Sequence, residues 1–347
     1  MLLPTAASRL TTTILLGGCC LRHTPPPRAS LIEDIEASVR HRFDGRDVTR
    51  VLDAWKRMSD GHVHDVPLPG GEADPMLRQQ SNSYVDGLPV RLFYEDAPSR
   101  YPWARALEEG AQEVRDEFLS VVHSDVLERE GNNVWTGLAD IRDATTVAYG
   151  PEWRTLGLQD RGVWDPINMR LFPKTVQLLK RSGIPCVEAF FAKMPAGTSI
   201  GAHSDGCNFH LTSHLGIDVP EGECWLKVGD QRREWREGKV LLFDTSVMHS
   251  AANEAARDRY VLMMRVWHPD LQPVEVEALS WIFACLDDPS LAARPPVDWG
   301  GGATATPAVP RAPAVPAGAS RKERRAADKA AKKGLKKTNK KGFAPAA

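Results

Sequence analysis

The spacing of hydrophobic residues changes about half-way along this chain of 347 residues. Leu31, Ile32, Ile35 and Val39 recur at helical spacing, and Val48, Val51, Leu52 and Trp55 repeat it. That period belongs to a helix with one buried face. A longer stripe runs from Trp103 to Val122, where Ala106, Leu107, Ala111, Val114, Phe118, Leu119 and Val122 share a face among acidic residues. From about Val187 the apolar residues gather instead into short β-rich runs: Val187–Lys193, His210–Val219, Cys224–Val228, Lys239–Phe243 and Arg259–Trp267. Turn residues separate them at Pro195–Gly197, Pro220–Gly222, Gly229–Asp230 and Glu237–Gly238. The pattern predicts an α+β fold, with helices first and then an antiparallel β sandwich or barrel.

The two ends of the chain follow different rules. Residues 1–30 hold no Asp or Glu, three Arg (Arg9, Arg22, Arg28) and a short apolar stretch, Ile14–Leu21. This composition predicts a targeting segment for a mitochondrion or plastid; the secretory pathway and the cytoplasm are the alternatives. Residues 299–320 are rich in Pro, Ala and Gly and predict a linker. Residues 321–347 form a basic tail, a solvated segment suited to an anionic partner. Between these ends lie a helical region, 31–83, and the principal domain, 84–298.

Charge narrows the function classes. Residues 321–341 carry eleven Lys and Arg against Glu323 and Asp328, so +9 sits there; the chain's net charge of −1 leaves −10 elsewhere. A mildly acidic body argues against nucleic-acid binding by the folded part. No apolar run reaches the roughly 20 residues of a transmembrane helix. The six Cys, at 19, 20, 186, 207, 224 and 285, form neither a disulfide framework nor a CxxC pair. Cys186 and Cys224 are read as free thiols, and Trp225, Trp235 and Trp267 as core.

The candidate chemistry lies in the β-rich half. His203 and Asp205 stand two residues apart, so on an extended strand they share a face. His249 follows 46 residues later, and Arg259 ten beyond that, opening the last β run. Two imidazoles and one carboxylate on one side of a metal make the facial triad of non-haem Fe(II) oxygenases, with positions left open for co-substrate and O2. An Arg beside them clasps a carboxylate in a way that Lys does not. The residue types also suit zinc, and a surface turn at His203–Asp205 with Arg259 paired to Asp258 is the plain alternative.

Six motifs occur in one order: Phe172-Pro-Lys-Thr-Val-Gln-Leu-Leu179, Met194-Pro-Ala-Gly-Thr198, His203-Ser-Asp-Gly206, Ser213-His-Leu-Gly216, Trp235-Arg-Glu-Gly-Lys-Val-Leu-Leu-Phe-Asp244 and Val266-Trp-His-Pro-Asp-Leu271. Together with the helix carrying Leu107-Glu-Glu and Arg115-Asp-Glu, they resemble the aspartyl/asparaginyl β-hydroxylase family over roughly residues 84–275. The resemblance implies a double-stranded β-helix (jelly-roll, cupin-like) with N-terminal supporting helices. It also implies an Fe(II)-dependent dioxygenase that uses 2-oxoglutarate and O2 as co-substrates. His203 and His249 match the family's iron ligands, and Asp205 completes the triad. Arg259 matches the arginine that grips the distal carboxylate of 2-oxoglutarate. His214, and more loosely Trp153, match the lining of the same pocket.

Two departures from the family pattern stand out. The animal enzyme that names the family has Gly where Asp205 stands. Its second co-substrate arginine, two residues before His-Leu-Gly, is replaced here by Thr212, which leaves the anchoring of the proximal carboxylate to His214 and the iron. His210 falls where related proteins put a substrate-facing basic residue, or is a partly exposed strand histidine. His268 is expected to be structural. The implied reaction is hydroxylation of an unactivated C–H in an Asp- or Asn-type residue of a protein or peptide. A small molecule or a lipid acyl chain is the alternative substrate. A non-catalytic, carboxylate-binding β sandwich with a basic interaction tail is the alternative class.

Overall fold

A computed structural model describes residues 29–137 and 153–293. These fall within one compact unit, residues 1–297. The linker at 299–320 and the basic tail at 321–347 lie outside the described residues. So does the expected targeting segment, except for Ala29 and Ser30.

Two helices open the described chain, α1 (Ala29–Arg42) and α2 (Thr49–Ser59), where the apolar stripes predict them. A hairpin follows, β1 (His64–Pro67) and β2 (Arg78–Ser83), then α3 (Ala97–Arg100), α4 (Pro102–Glu109), α5 (Ala111–Val122) and α6 (Val126–Glu130). Next come β3 (Thr136–Gly137), β4 (Arg154–Asp160), β5 (Val163–Trp164), α7 (Asn168–Leu171) and α8 (Pro173–Ser182). The β-rich half holds β6 (Cys186–Met194), β7 (Thr198–His203), β8 (Gly206–Cys207), β9 (His210–Asp218) and β10 (Cys224–Val228). It continues with β11 (Gln231–Glu234), β12 (Val240–Phe243), β13 (His249–Asn253) and β14 (Arg259–Trp267), before α9 (Pro273–Asp287) and α10 (Ser290–Ala293).

The major sheet runs β12-β9-β14-β6-β4-β3, with β5 paired to β4; the minor sheet runs β11-β10-β13-β7. From β6 to β14 the chain passes repeatedly from one sheet to the other. That alternation makes a double-stranded β-helix, as the resemblance implies.

Strand parity sorts the side chains. Leu262, Met264 and Val266 of β14 face outward with Ala189 and Phe191 of β6 and Leu211 and Leu215 of β9. They form one core with Leu107, Val114, Phe118 and Leu178 of the covering helices. The opposite parity faces inward: Phe190, Ala192, Met194 and Val261 meet Cys224, Leu226, Val228 and Ala251 of the minor sheet. Among these apolar inward positions stand the polar residues of the site.

The single stripe expected over Trp103–Val122 is broken into α4 and α5 at Gly110. A Cβ there would lie 2.7 Å from the Leu178 side chain, so the glycine lets α8 pack closely. Residues 31–83, expected to be helical, also contain β1 and β2. The latter reads Arg-Gln-Gln-Ser-Asn-Ser, yet Gln79 and Ser81 are buried, so its alternation is carried by polar residues that hydrophobicity does not reveal. Nor does this region stand apart. Ile35, Val39, Val51 and Trp55 share a core with Ala278, Leu279 and Ile282 of α9 and with Cys207 and Phe209. Arg50 and Glu275 join the same elements through a bond of 2.6 Å. Among the described residues no helix is long and apolar enough to cross a membrane.

Candidate metal centre

His203 is the last residue of β7 and His249 the first of β13, and the two pair directly across the antiparallel ladder. Their ring centroids lie 4.2 Å apart. Each imidazole is oriented by the carbonyl two residues before it. Nδ1 of His203 donates to the Gly201 carbonyl at 2.9 Å, and Nδ1 of His249 donates to the Val247 carbonyl at 2.9 Å. A carbonyl only accepts, so Nδ1 is the donor in each ring, and Nε2 is the nitrogen that faces Asp205. Burial, with His203 alongside, pushes the His249 pKa down to about 4, so that ring is neutral at physiological pH.

Asp205 reaches the pair, though not along one extended strand as the sequence spacing suggests. β7 stops at His203, and Asp205 is placed by donating its N–H to the Thr245 carbonyl at 2.8 Å. Gly206 then turns the chain with φ of 76°. Asp205 Oδ1 lies 3.7 Å from Nε2 of His203 and 3.9 Å from Nε2 of His249. One ligand atom from each of the three lies within 4.8 Å of the others. Two imidazoles and a carboxylate converging in this way fit a divalent transition metal.

Asp205 Oδ2 accepts from Nη2 of Arg265 at 3.1 Å, and Nε of the same buried guanidinium lies 3.7 Å from Glu188. Burial pushes the Glu188 carboxyl up to about 7, against the pull of Arg265. Sequence reasoning overlooked Arg265. Its signal was parity: it stands six residues after Arg259 on the same face of an otherwise apolar strand.

A second polar group lies one ring away. His249 meets Phe243 at 5.8 Å, and Phe243 meets His214 at 5.1 Å. Trp235 Nε1 donates to His214 Nδ1 at 3.0 Å, so His214 carries its proton on Nε2, a buried N–H with no partner among the described residues. Burial, with Arg259 and His249 nearby, holds its pKa well below the usual range. Arg259, 2% exposed, stacks its guanidinium 4.4 Å above Trp235, and its Nε has no hydrogen-bond partner among the described residues. Burial lowers its pKa to about 10. Two uncommitted buried donors side by side are matched to an anion. The Asp258 pairing weighed for Arg259 is absent: Asp258 bonds Lys193 at 2.7 Å instead. Trp153 packs edge-on against Phe190 in the inner core that also holds Trp235 and Phe243.

His210 corrects the expectation of partial exposure. It is buried between Phe209 and Trp267, with Nδ1 3.6 Å from Cys207 Sγ. His268 is structural: its Nε2 lies 3.2 Å from the Tyr94 hydroxyl and 3.3 Å from the Pro89 carbonyl. The four described cysteines, Cys186, Cys207, Cys224 and Cys285, are free.

The segments around Asp205 and before His249 both rest on β2, which the sequence did not reveal. Ser81 and Ser83 pair in parallel with Gly206 and Cys207. Gln80 N–H donates to the Ser246 carbonyl, Gln79 Nε2 to Ser246 Oγ, and Met248 N–H to the Arg78 carbonyl, at 2.8, 2.9 and 3.0 Å.

Residues 108–269 match the family model described as aspartyl/asparaginyl β-hydroxylase, inside the stretch that carries the sequence motifs. That stretch, just under half of the chain, carries the domain of this family. It is 37% identical over 142 residues to human aspartate β-hydroxylase domain-containing protein 2, which covers 38% of this chain and 38% of that protein. It is 28% identical over 176 residues to the ornithine lipid ester-linked acyl 2-hydroxylase of Rhizobium tropici, covering 50% and 60%. The matches to both relatives thus span less than two thirds of their length. A solved Pseudomonas putida prolyl-4-hydroxylase aligns with a TM-score of 0.30 and 14% identity, covering 48% of this chain and 98% of that one. The fold rests on the chain's own strand order.

Proposed function

We propose that this chain is an Fe(II)- and 2-oxoglutarate-dependent dioxygenase that hydroxylates an unactivated C–H. The observation that carries the reading is the trio of ligand atoms, with both Nδ1 protons committed to carbonyls and both Nε2 atoms turned toward Asp205. On this reading His203, Asp205 and His249 hold the iron. Iron held there supplies the oxidising chemistry, with O2 and 2-oxoglutarate as co-substrates and succinate and CO2 as products. Arg259 takes the distal carboxylate of 2-oxoglutarate, screened from water by its burial on Trp235. His214 donates its Nε2–H to the same molecule, its tautomer fixed by Trp235. Trp153 closes the inner wall, and the apolar face of β6 and β14 excludes water from the reaction.

For the substrate, an Asp- or Asn-type residue of a protein or peptide follows from the family. A lipid acyl chain or neutral small molecule is a second reading, supported by the Rhizobium relative and by the inner face itself. Arg265 is engaged by Asp205 and Glu188, and Thr212 brings no charge, so Arg259 is the inward guanidinium left for a carboxylate among the described residues.

Anaerobic titration with Fe(II) and 2-oxoglutarate tests the proposal. The expected result is a weak visible charge-transfer band that saturates with both additions. A non-catalytic carboxylate-binding sandwich gives no band, and its absence would reject the dioxygenase reading.

A further inference from the structure

We propose that Arg265 is a positioning residue for the metal centre, tying Oδ2 of Asp205 so that Oδ1 is presented to His203 and His249. The inference rests on the iron-site reading above. Arg265 lies on β14 directly across from Thr212 of β9 on one side and Glu188 of β6 on the other. All three are buried, as is Asp205. The family pattern places a cation at position 212. Here the inward cation stands one strand over, at 265, and its Nη2 is 3.1 Å from Asp205 Oδ2.

The physical reason lies in the geometry of a carboxylate. A buried Asp with one oxygen unbound is free to rotate about its last torsion, or to turn both oxygens toward the metal. A charge-assisted hydrogen bond to Oδ2 fixes the plane and leaves one lone-pair-bearing oxygen for the ligand position. Glu188, directly across the ladder from Arg265, places a second carboxylate 3.7 Å from Nε of that guanidinium. The arrangement also explains why Asp205 and Arg265 occur together in a chain that lacks the arginine at 212. A triad carboxylate this deeply buried needs its own counter-cation before metal arrives.

Cobalt(II) titration of the full chain, followed by its visible absorption, tests the inference through a double-mutant cycle of Arg265→Met and Asp205→Gly. In the presence of Asp205, Arg265→Met should weaken Co(II) binding by roughly ten- to a hundred-fold, the range for loss of a partner that orients a metal ligand. In the Asp205→Gly background the same change should have little further effect. Equal losses in both backgrounds would show that Arg265 acts through the fold and overturn the proposal, as would no loss in either. Should Arg265→Met fail to fold, Arg265→Lys and Glu188→Gln complete the cycle. Lys is expected to retain part of the affinity in the Asp205 background alone. Failure of the wild-type protein to bind Co(II) at all would instead sink the metal-site reading.

Discussion

Arg259 should be bad for stability and good for binding, and the structure gives the size of both effects. Its guanidinium is buried, and no carboxylate among the described residues neutralises it. The fall of its pKa to about 10 corresponds to ~3 kcal/mol of unmet desolvation, at about 1.4 kcal/mol per tenfold change in acidity. Stacking on Trp235 at 4.4 Å returns about 2 kcal/mol of that. Arg259→Met keeps much of the volume and removes the charge, so the ligand-free protein should be as stable as wild type, or up to ~1 kcal/mol more stable. Arg259→Lys keeps the charge without the planar fork and should weaken 2-oxoglutarate by ~1.5–3 kcal/mol. Urea unfolding of metal-loaded, oxygen-free protein reads both quantities. At a hundred times its Kd, 2-oxoglutarate should stabilise wild type by about 2.7 kcal/mol and leave Arg259→Met unmoved. If Arg259→Met costs several kcal/mol without ligand, the residue is a structural ion-pair partner. If 2-oxoglutarate still protects it fully, the carboxylate binds elsewhere.

Residues 29–293 contain every described element and should bind iron and 2-oxoglutarate like the full chain, whereas a chain beginning at residue 84 loses α1, α2 and β2 and should not. Circular dichroism and metal titration check this, and full-affinity binding by the shorter chain would remove β2 from the site. His210 and His214 are held neutral by burial, so below about pH 6.5 the unfolded chain takes protons that the folded one refuses, and each ring lowers stability by up to ~1.4 kcal/mol per pH unit as pH falls. Glu188 and Asp244, raised to about 7 and about 6, add stability as pH falls through those values, so the readout is the difference in urea-unfolding slope between wild type and His210→Leu, which should lose one ring's share.

The parts of this protein legible in its sequence are those in which burial is written in apolar residues. The runs Cys224–Val228 and Arg259–Trp267 coincide with β10 and β14, because Val, Leu, Met and Trp both favour strands and fill the core. The strands β2, β7 and β13 were not legible. They read Arg-Gln-Gln-Ser-Asn-Ser, Thr-Ser-Ile-Gly-Ala-His and His-Ser-Ala-Ala-Asn, and owe their conformation to their ladder partners. The site shows the same division. His203, Asp205 and His249 were found by residue type and motif order, and the ladder brings the two histidines face to face. The support from Gln79 and Gln80 depends on contacts across more than a hundred residues, for which a single sequence gives no signal.

The charges on the inward face bear on what the proposed enzyme accepts. In a family site with two histidines, Gly at the third position and two arginines, the iron's two positive charges cancel the two negative charges of 2-oxoglutarate. Both arginines then remain positive, and an acidic substrate side chain is welcome. With Asp205 as a ligand, as proposed, one negative charge is added at the iron, and Thr212 in place of the family's arginine leaves β9 one positive charge short. Arg265 does not restore it, because its guanidinium is shared between Asp205 and Glu188. With Arg259 against the distal carboxylate, the loaded centre comes close to neutral. Burying a further carboxylate in a neutral, water-poor site costs several kcal/mol, and the described inward residues offer no further cation to offset it. An amide or an acyl chain meets no such cost. On the proposed reading, Asp205 and Thr212 thus act in one direction, toward a self-contained iron site and a substrate without charge at the carbon to be hydroxylated.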